Sequence, residues 1–271
     1  MHGTGTGGRG LDVRFPGVVC FANLRKRGMP MAKSATGYRR ILLKLSGEAL
    51  GGEGGVGIDT ATIDRVAGEI KAVVQDGRQV AIVMGAGNFI RGASGVKEGM
   101  DRVVADQMGM IATVINALAL DQGILRTGQM STVFSAFGVG GIVETYTVEY
   151  ARGALDFGGI VLCAGGTGNP LFTTDTAGVL RALELDCDVM LKATMVDGVY
   201  DKDPLKHPKA VKFDKITYTE VLERKLGIMD LTAIALAEKN NLPIVVFNLS
   251  RKGILKRIAK GDLKHATLIS K

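Results

Sequence analysis

Tryptophan is absent, and Phe, Tyr and Trp together make up 5% of the 271 residues. That leaves few aromatic faces for a protein that would bind single-stranded nucleic acid by base stacking. Cysteine occurs three times, at Cys20, Cys163 and Cys187, and no C-x-x-C is present. An odd count without that spacing suggests neither a disulfide framework nor a zinc site, and it fits a reducing cytoplasm. Cys163 sits in an apolar run and reads as buried packing. The three histidines, His2, His207 and His265, are scattered, and both H-E-x-x-H and G-x-S-x-G are missing. A His-based zinc centre and a Ser-His-Asp triad therefore have little to build on. No run reaches the ~18 consecutive apolar residues of a membrane span. No Gly is followed by Lys anywhere, which removes the Walker A loop and with it the P-loop nucleotide kinases. The 38 glycines show no G-X-Y period, so collagen is excluded.

What remains is a chain with 46% hydrophobic and 23% charged side chains, too apolar for a disordered protein. Its net charge is +7. Residues 1–37 hold Arg9, Arg14, Arg25, Lys26, Arg27 and Lys33 against Asp12, a local net of +5. A basic nucleic-acid domain carries its charge on a folded face. Here the body is nearly balanced, which suits a small phosphorylated substrate held by a few focused cations.

The segment 1–37 reads as a flexible, Gly-rich leader or a start placed too early, with Met29 and Met31 just upstream of the regular pattern. Its basic cluster follows its apolar part, the wrong order for a secretory signal. A targeting or nucleic-acid arm is the other reading. We expect the leader to be dispensable for acceptor choice.

From residue 38 apolar runs alternate with helical patterns. Strands are expected at 40–45, 79–84, 131–136, 160–164, 189–193, 244–249 and 267–269. Helices are expected at 59–76, 101–121, 148–155, 174–185, 219–226, 230–240 and 253–260. The helix at 101–121 is expected to bury Val104, Met108, Ile111, Ile115 and Leu118. Continuous apolar strands separated by helices predict an α/β fold, a three-layer αβα sandwich around a mostly parallel sheet, as one domain spanning 38–271.

Such sheets bind ligands beyond the carboxyl ends of their strands. At those ends stand Lys44-Leu45-Ser46-Gly47, Gly85-Ala86-Gly87-Asn88 with Arg91, the turn 165–174, and Lys192 with Thr194. Glycines let backbone N–H groups approach an anion, and Lys44, Arg91 and Lys192 supply cations at the same edge. Lys44 lies inside an apolar strand and would lose hydration unless an anion met it. This inventory suits phosphates. Each turn alone is ordinary turn chemistry, and Asp230 reads equally as a helix N-cap.

Taken in order, these motifs resemble the amino-acid kinase superfamily. They are K-L-S-G at 44–47, G-x-G-N at 85–88, A-G-G-T-G-N-P at 164–170 followed by T-T-D at 173–175, V-D-G-V-Y-x-x-D-P at 196–204, and M-D at 229–230. F-I-R-G at 89–92 and D-R-V-V-x-D-x-M-G-M at 101–110 bring the resemblance closer to the bacterial uridylate kinases, which make UDP from UMP and ATP. The likeness runs from about residue 38 to the end.

The resemblance implies a cytoplasmic enzyme of pyrimidine nucleotide (CTP) synthesis, a homohexamer acting with Mg2+ bound through nucleotide phosphates, without need of membrane or nucleic acid. It implies Lys44, Lys192 and Asp230 as catalytic, with Asp230 holding the lysines in place. It implies Lys44, Leu45, Ser46, Gly47, Gly87, Arg91, Thr194, Tyr200 and Asp203 around ATP. It implies Ala86, Asp106, Thr167, Gly168, Asn169, Pro170, Leu171, Phe172, Thr173 and Thr174 around UMP, with Asp106 on the ribose hydroxyls. Gly52, Glu53, Gly54, Gly55, Val56 and Gly57 match a segment tied to GTP activation, and UTP is the implied inhibitor. Two positions depart from the pattern. Ala86 replaces the middle glycine of G-G-G-N, and Met195 stands where relatives often carry another lysine. An acceptor of carboxylate or carbamate type, and a non-catalytic nucleotide-binding protein on the same fold, remain the alternatives.

Overall fold

The computed structural model describes residues 37–52, 54–90 and 99–271. Residues 1–36, most of the segment expected to be a leader, lie outside the described residues, as do Glu53 and Arg91.

The longest apolar runs form the centre of the sheet. Strands β1 (Arg40–Leu45), β2 (Gln79–Met84) and β5 (Ile160–Ala164) are buried at every position. Strands β3 (Ser131–Ser135), β6 (Val189–Thr194) and β10 (Ile244–Asn248) flank them. With β4 (Glu144–Thr145), β9 (Lys215–Thr217) and β11 (Ala266–Ser270) they make a nine-stranded sheet of order β4-β3-β5-β2-β1-β6-β10-β11-β9. Among the described residues its pairings are parallel except β10 with β11. Strands buried on both faces are what a parallel sheet requires, so the runs show no alternation.

Alternation of side chains then sorts the layers. Ile41, Leu43 and Leu45 of β1 share one core with helices α1 (Thr60–Val74), α2 (Arg102–Arg126) and α7 (Ile254–Ala259). Leu42 faces the other core, made with α3 (Val148–Asp156), α4 (Thr174–Glu184), α5 (Tyr218–Glu223) and α6 (Leu231–Asn240). Lys44 follows the parity of Leu42 and so emerges on the α4 side. A two-residue hairpin pair, β7 (Val199–Tyr200) with β8 (Lys212–Phe213), stands apart from the main sheet. The expected elements all form, with ends shifted by a few residues. The short strands β4, β7, β8 and β9 had no legible pattern, because two or three residues carry too little periodicity.

Helix α2 corrects one expectation. Val104 (50% exposed), Met108 (43%), Ile111 (56%) and Ile115 (45%) face outward. The buried face holds Ala105, Ala112, Thr113, Val114, Asn116, Ala117, Leu120, Gly123 and Ile124, while Leu118 is half-buried against the core. The helix is apolar on two stripes, and periodicity does not say which one turns inward. Close packing decides it: a Cβ on Gly123 would lie 2.4 Å from the Ile63 side chain of α1, so the small residues must face in. By length and composition α2 would also pass as a membrane span. Its inner stripe is committed to the sheet and α1.

Candidate active site

Chain order reverses at β1, whose neighbours are β2 on one side and β6 on the other. That is the switch point at which open sheets leave a crevice beyond their strand ends. Lys44 of β1 and Lys192 of β6 are register partners there. Two ammonium groups side by side repel, and burial adds a desolvation cost. The anion that offsets both is Asp175, at the start of α4. One of its oxygens lies 2.8 Å from Lys44 Nζ, and the other pairs with Lys192 Nζ. Burial pushes the Asp175 carboxyl up, and the two ammonium groups more than reverse this, leaving it below the usual range. Burial, then Lys44, pull Lys192 down to about 8 against the opposing pull of Asp175. The site is thus a compact pair of cations around one anion, open to further negative charge.

The resemblance assigned the holding of the lysines to Asp230, and the direct contacts belong instead to Asp175. Asp230 caps α6, accepting from the Ala233 N–H at 2.9 Å. It also accepts from the hydroxyls of Thr176 and Thr173. Thr173 in turn caps α4, accepting from the N–H groups of Asp175 and Thr176. Asp230 therefore acts on the lysines through the helix that carries Asp175. Asp175 belonged to the T-T-D motif, but nothing in sequence said that its side chain would reach across two strands.

Around the lysines the glycine turns converge. A Cβ on Gly47 would come 2.4 Å from Asn88 Oδ1 and 2.6 Å from the Gly87 nitrogen, so the turns after β1 and β2 touch only because that position is bare. The Gly85 N–H donates to the Leu45 carbonyl at 2.8 Å. Thr174 Oγ1 comes within 3.4 Å of where a Gly85 Cβ would stand. Leu45, Ser46, Gly47, Ala86, Gly87 and Thr174 thus form one rim. Ala86 is buried, and its φ is not in the left-handed region, so the methyl costs no backbone strain.

The acceptor-side residues also come together. Asp106, near the start of α2, accepts from the Leu171 N–H at 2.9 Å and from Arg102 Nε at 2.8 Å. This ties α2 to the loop holding Thr167, Gly168, Asn169 and Pro170. Thr167 and Asn169 bond each other within that turn. Leu171 has φ +73°, a strained value for a side chain of its size, and stands 63% exposed beside Phe172 at 51%. Two apolar side chains held out beside a carboxylate suit a planar base and its sugar. Arg181 stiffens this loop from below: it lies over the Tyr146 ring at 4.0 Å and bonds the Gly166 carbonyl at 3.4 Å. Cys163 is buried behind it, its thiol pushed up to about 12 by burial, consistent with a packing role.

On the far side of β6 a cleft of about 520 Å³ is lined by Thr194, Tyr200, Asp203, Arg224, Lys225 and Ile228, among others. Thr194, Tyr200 and Asp203 were named from sequence; Arg224 and Lys225 were not, since basic residues at a helix end have no motif. Met195 is exposed and borders a smaller cavity of about 250 Å³ with Glu48, Gly52 and Ser250. The Gly-rich loop after β1 has Gly52, Gly54, Gly55 and Gly57 at positive φ and Val56 in solvent. It lies beside the β2 turn, joined through Gly57 and Asn88.

The family model for the amino acid kinase family matches residues 39–248. A uridylate kinase of Yersinia enterocolitica is 49% identical over 234 residues, covering 86% of this chain and 94% of its own. One from Marinobacter nauticus is 50% identical over 238 residues, covering 88% and 98%. Among solved structures, UMP kinase from Bacillus anthracis superposes with a TM-score of 0.82 at 37% identity, covering 86% of this chain and 96% of that one. UMP kinase from Ureaplasma parvum gives 0.81 at 34% identity, covering 86% and 99%.

Proposed function

This chain belongs to the amino acid kinase family, and from that premise we propose that its crevice moves the γ-phosphoryl group of ATP to UMP, giving UDP and ADP. It is a nucleoside monophosphate kinase, a phosphotransferase. The observation that carries the reading is the Lys44–Asp175–Lys192 cluster, set between the Asp106 loop and the Tyr200 cleft.

Phosphoryl transfer needs alignment and charge neutralisation more than covalent help. Lys44 and Lys192 lie side by side where the transferring group would pass, so they spread its charge as donor and acceptor oxygens line up. Asp175 keeps both ammonium groups near one point and lowers their mutual repulsion. Asp230 and the hydroxyls of Thr173 and Thr176 fix the helix start that carries it. Ser46, Gly47 and Gly87 offer backbone donors to the phosphates. Asp106 accepts from the ribose, and residues 167–174 enclose the base and phosphate of UMP. Thr194, Tyr200 and Asp203 line the cleft for ATP.

Among the described residues no three carboxylate, His or Cys groups converge on a point. Mg2+ held through nucleotide phosphates and water fits that donor set. It would supply neutralisation of phosphate charge. We assign the catalytic domain to 38–271, with segment 1–37 outside it, and place the enzyme in the cytoplasm supplying pyrimidine nucleotides. The outward stripe of Val104, Met108, Ile111 and Ile115 supports self-association, up to the hexamer implied by the resemblance. The loop at 52–57 is the candidate seat of GTP activation, with UTP as the opposing effector.

The test is ADP release from Mg-ATP with UMP, CMP, dUMP, AMP, aspartate, glutamate and carbamate in turn. UMP should be the acceptor, and Lys44→Ala should abolish turnover with UMP while leaving the fold intact. Release with a carboxylate or carbamate acceptor instead would keep the fold and sink the substrate.

A further inference from the structure

Helix α2 carries polar side chains where a core helix should be apolar. Asn116 is fully buried and Thr113, one turn earlier on the same face, nearly so. Asparagine is a poor helix former, and a buried amide is costly unless every hydrogen-bonding group is met. Core packing gives no reason for either residue. Their partners do.

The Asn116 amide donates to the Gly85 carbonyl and to Asn88 Oδ1, each at 2.8 Å. Asn88 returns a bond from Nδ2 to Asn116 Oδ1 at 2.9 Å and gives a second to the Gly57 carbonyl at 2.6 Å. The Gly57 N–H closes the circuit on the Asn88 carbonyl at 3.0 Å. Both side-chain amides thereby use both donors. Thr113 Oγ1 accepts the Gly165 N–H at 2.8 Å and donates to Met110 in its own helix at 2.6 Å. One buried helix face thus grips the turn after β2, the turn after β5 and, through Asn88, the loop that ends at Gly57. Asn88 also lies against the bare Cα of Gly47, which brings the β1 turn into the same unit.

We infer that Asn116 and Thr113 are positioning residues for the acceptor side of the crevice. They hold the Gly85–Asn88 and Gly165–Gly168 turns at the spacing the UMP phosphate needs, and lock the loop at 51–57 to the first of these turns. The inference deepens the UMP-kinase reading and rests on it. Of the residues placed around ATP, Gly87 belongs to the first of these turns and Gly47 touches it; the Gly165–Gly168 turn that Thr113 holds carries acceptor-side residues alone. The reciprocal amide pair also makes the Gly57 loop and the phosphate turn a single body: a displacement of one is felt by the other through Asn88.

The experiment compares Asn116→Leu, Thr113→Val and Thr113→Ser with the full-length wild type. Loss of a buried hydrogen bond to a turn should raise the KM for UMP roughly tenfold in Asn116→Leu and by about half an order of magnitude in Thr113→Val. In Thr113→Val, whose turn holds no residue placed around ATP, the KM for ATP should stay within twofold. Thr113→Ser keeps the acceptor oxygen and should restore the wild-type value. Amide hydrogen exchange without substrate supplies an independent readout. In Asn116→Leu it should speed up at 85–90 and at 51–57 together, and not in β10 or β11. A merely structural role would lower the melting temperature while leaving the two KM values in their original ratio. That outcome, equal rises for UMP and ATP in Thr113→Val, or Val and Ser behaving alike at position 113, overturns the inference. Should Asn116→Leu not fold, the Thr113 pair still decides it. A wild type inactive toward UMP would instead overturn the underlying reading, while exchange at 85–90 and 51–57 would still report on the shared support.

Discussion

Asp175→Asn keeps the shape of the side chain and removes the charge between two buried lysines. Lys44 Nζ lies 2.8 Å from one oxygen, and Lys192 pairs with the other. Two unit charges about 4 Å apart interact by about 4 kcal/mol at an effective permittivity of about 20. At the 2.8 Å of the Lys44 contact the same expression gives about 6 kcal/mol, so two such contacts amount to about 12 kcal/mol before desolvation is counted. The lysines need not stay charged, however. Lys192 already sits at about 8, with Asp175 the main group holding it up, so removing the carboxylate lowers it further and makes its proton easier to lose. Deprotonation caps the cost, and the expected loss is that of a broken buried pair, roughly 3–5 kcal/mol. For a domain of this size each kcal/mol lowers the melting temperature by about 2–4 °C, so a fall of roughly 6–20 °C should appear in a thermal scan. Turnover at pH 7 should drop about 10²–10³-fold, the usual cost of one misplaced donor to developing charge. The assay is ADP release at saturating Mg-ATP and UMP between pH 6 and 8. Residual activity of the variant should rise toward pH 6, as Lys192 regains its proton, while the wild type changes far less. A variant within threefold of wild-type turnover would refute the reasoning, as would a larger loss in Asp230→Asn.

Two further expectations concern the same residues and the outer face of α2. The folded-state value of Lys192 lies below its ordinary 10.5. Between about 8 and 10.5 the unfolded chain therefore binds more protons than the folded one, and stability should rise with pH there by up to about 1.4 kcal/mol per unit. Lys192→Met should flatten that limb in urea titrations of the substrate-free protein; an unchanged slope would place its origin elsewhere. Ile111→Lys puts a charge in the middle of the exposed apolar stripe. It should shift the mass seen by light scattering toward the monomer without changing the circular dichroism, and an unaltered mass would remove α2 from the interface.

The sequence alone determined the architecture, because its information is local. Continuous apolar runs such as Arg40–Leu45 and Ile160–Ala164 cannot be half-exposed strands, and their alternation with helical periods leaves a covered parallel sheet. It also determined which turns carry glycine, and hence which strand ends let a phosphate come close. Tertiary structure decided what those residues touch. Lys44 and Lys192 are 148 residues apart in the chain. Only the β1–β6 register makes them neighbours, and only the parity of β1 turns Lys44 toward α4, where Asp175 meets both. Asp230, the acid marked by its motif, instead caps the neighbouring helix α6 of the same layer and reaches the lysines only through the start of α4. The two stripes of α2 differ little in hydrophobicity. Which one is buried depends on how closely α1 approaches Gly123, a distance that no window of sequence contains. Asn116 shows the same limit from the other side. A polar residue in an apolar helix reads as a defect until the turns it holds, 31 and 28 residues away at Gly85 and Asn88, are packed against it.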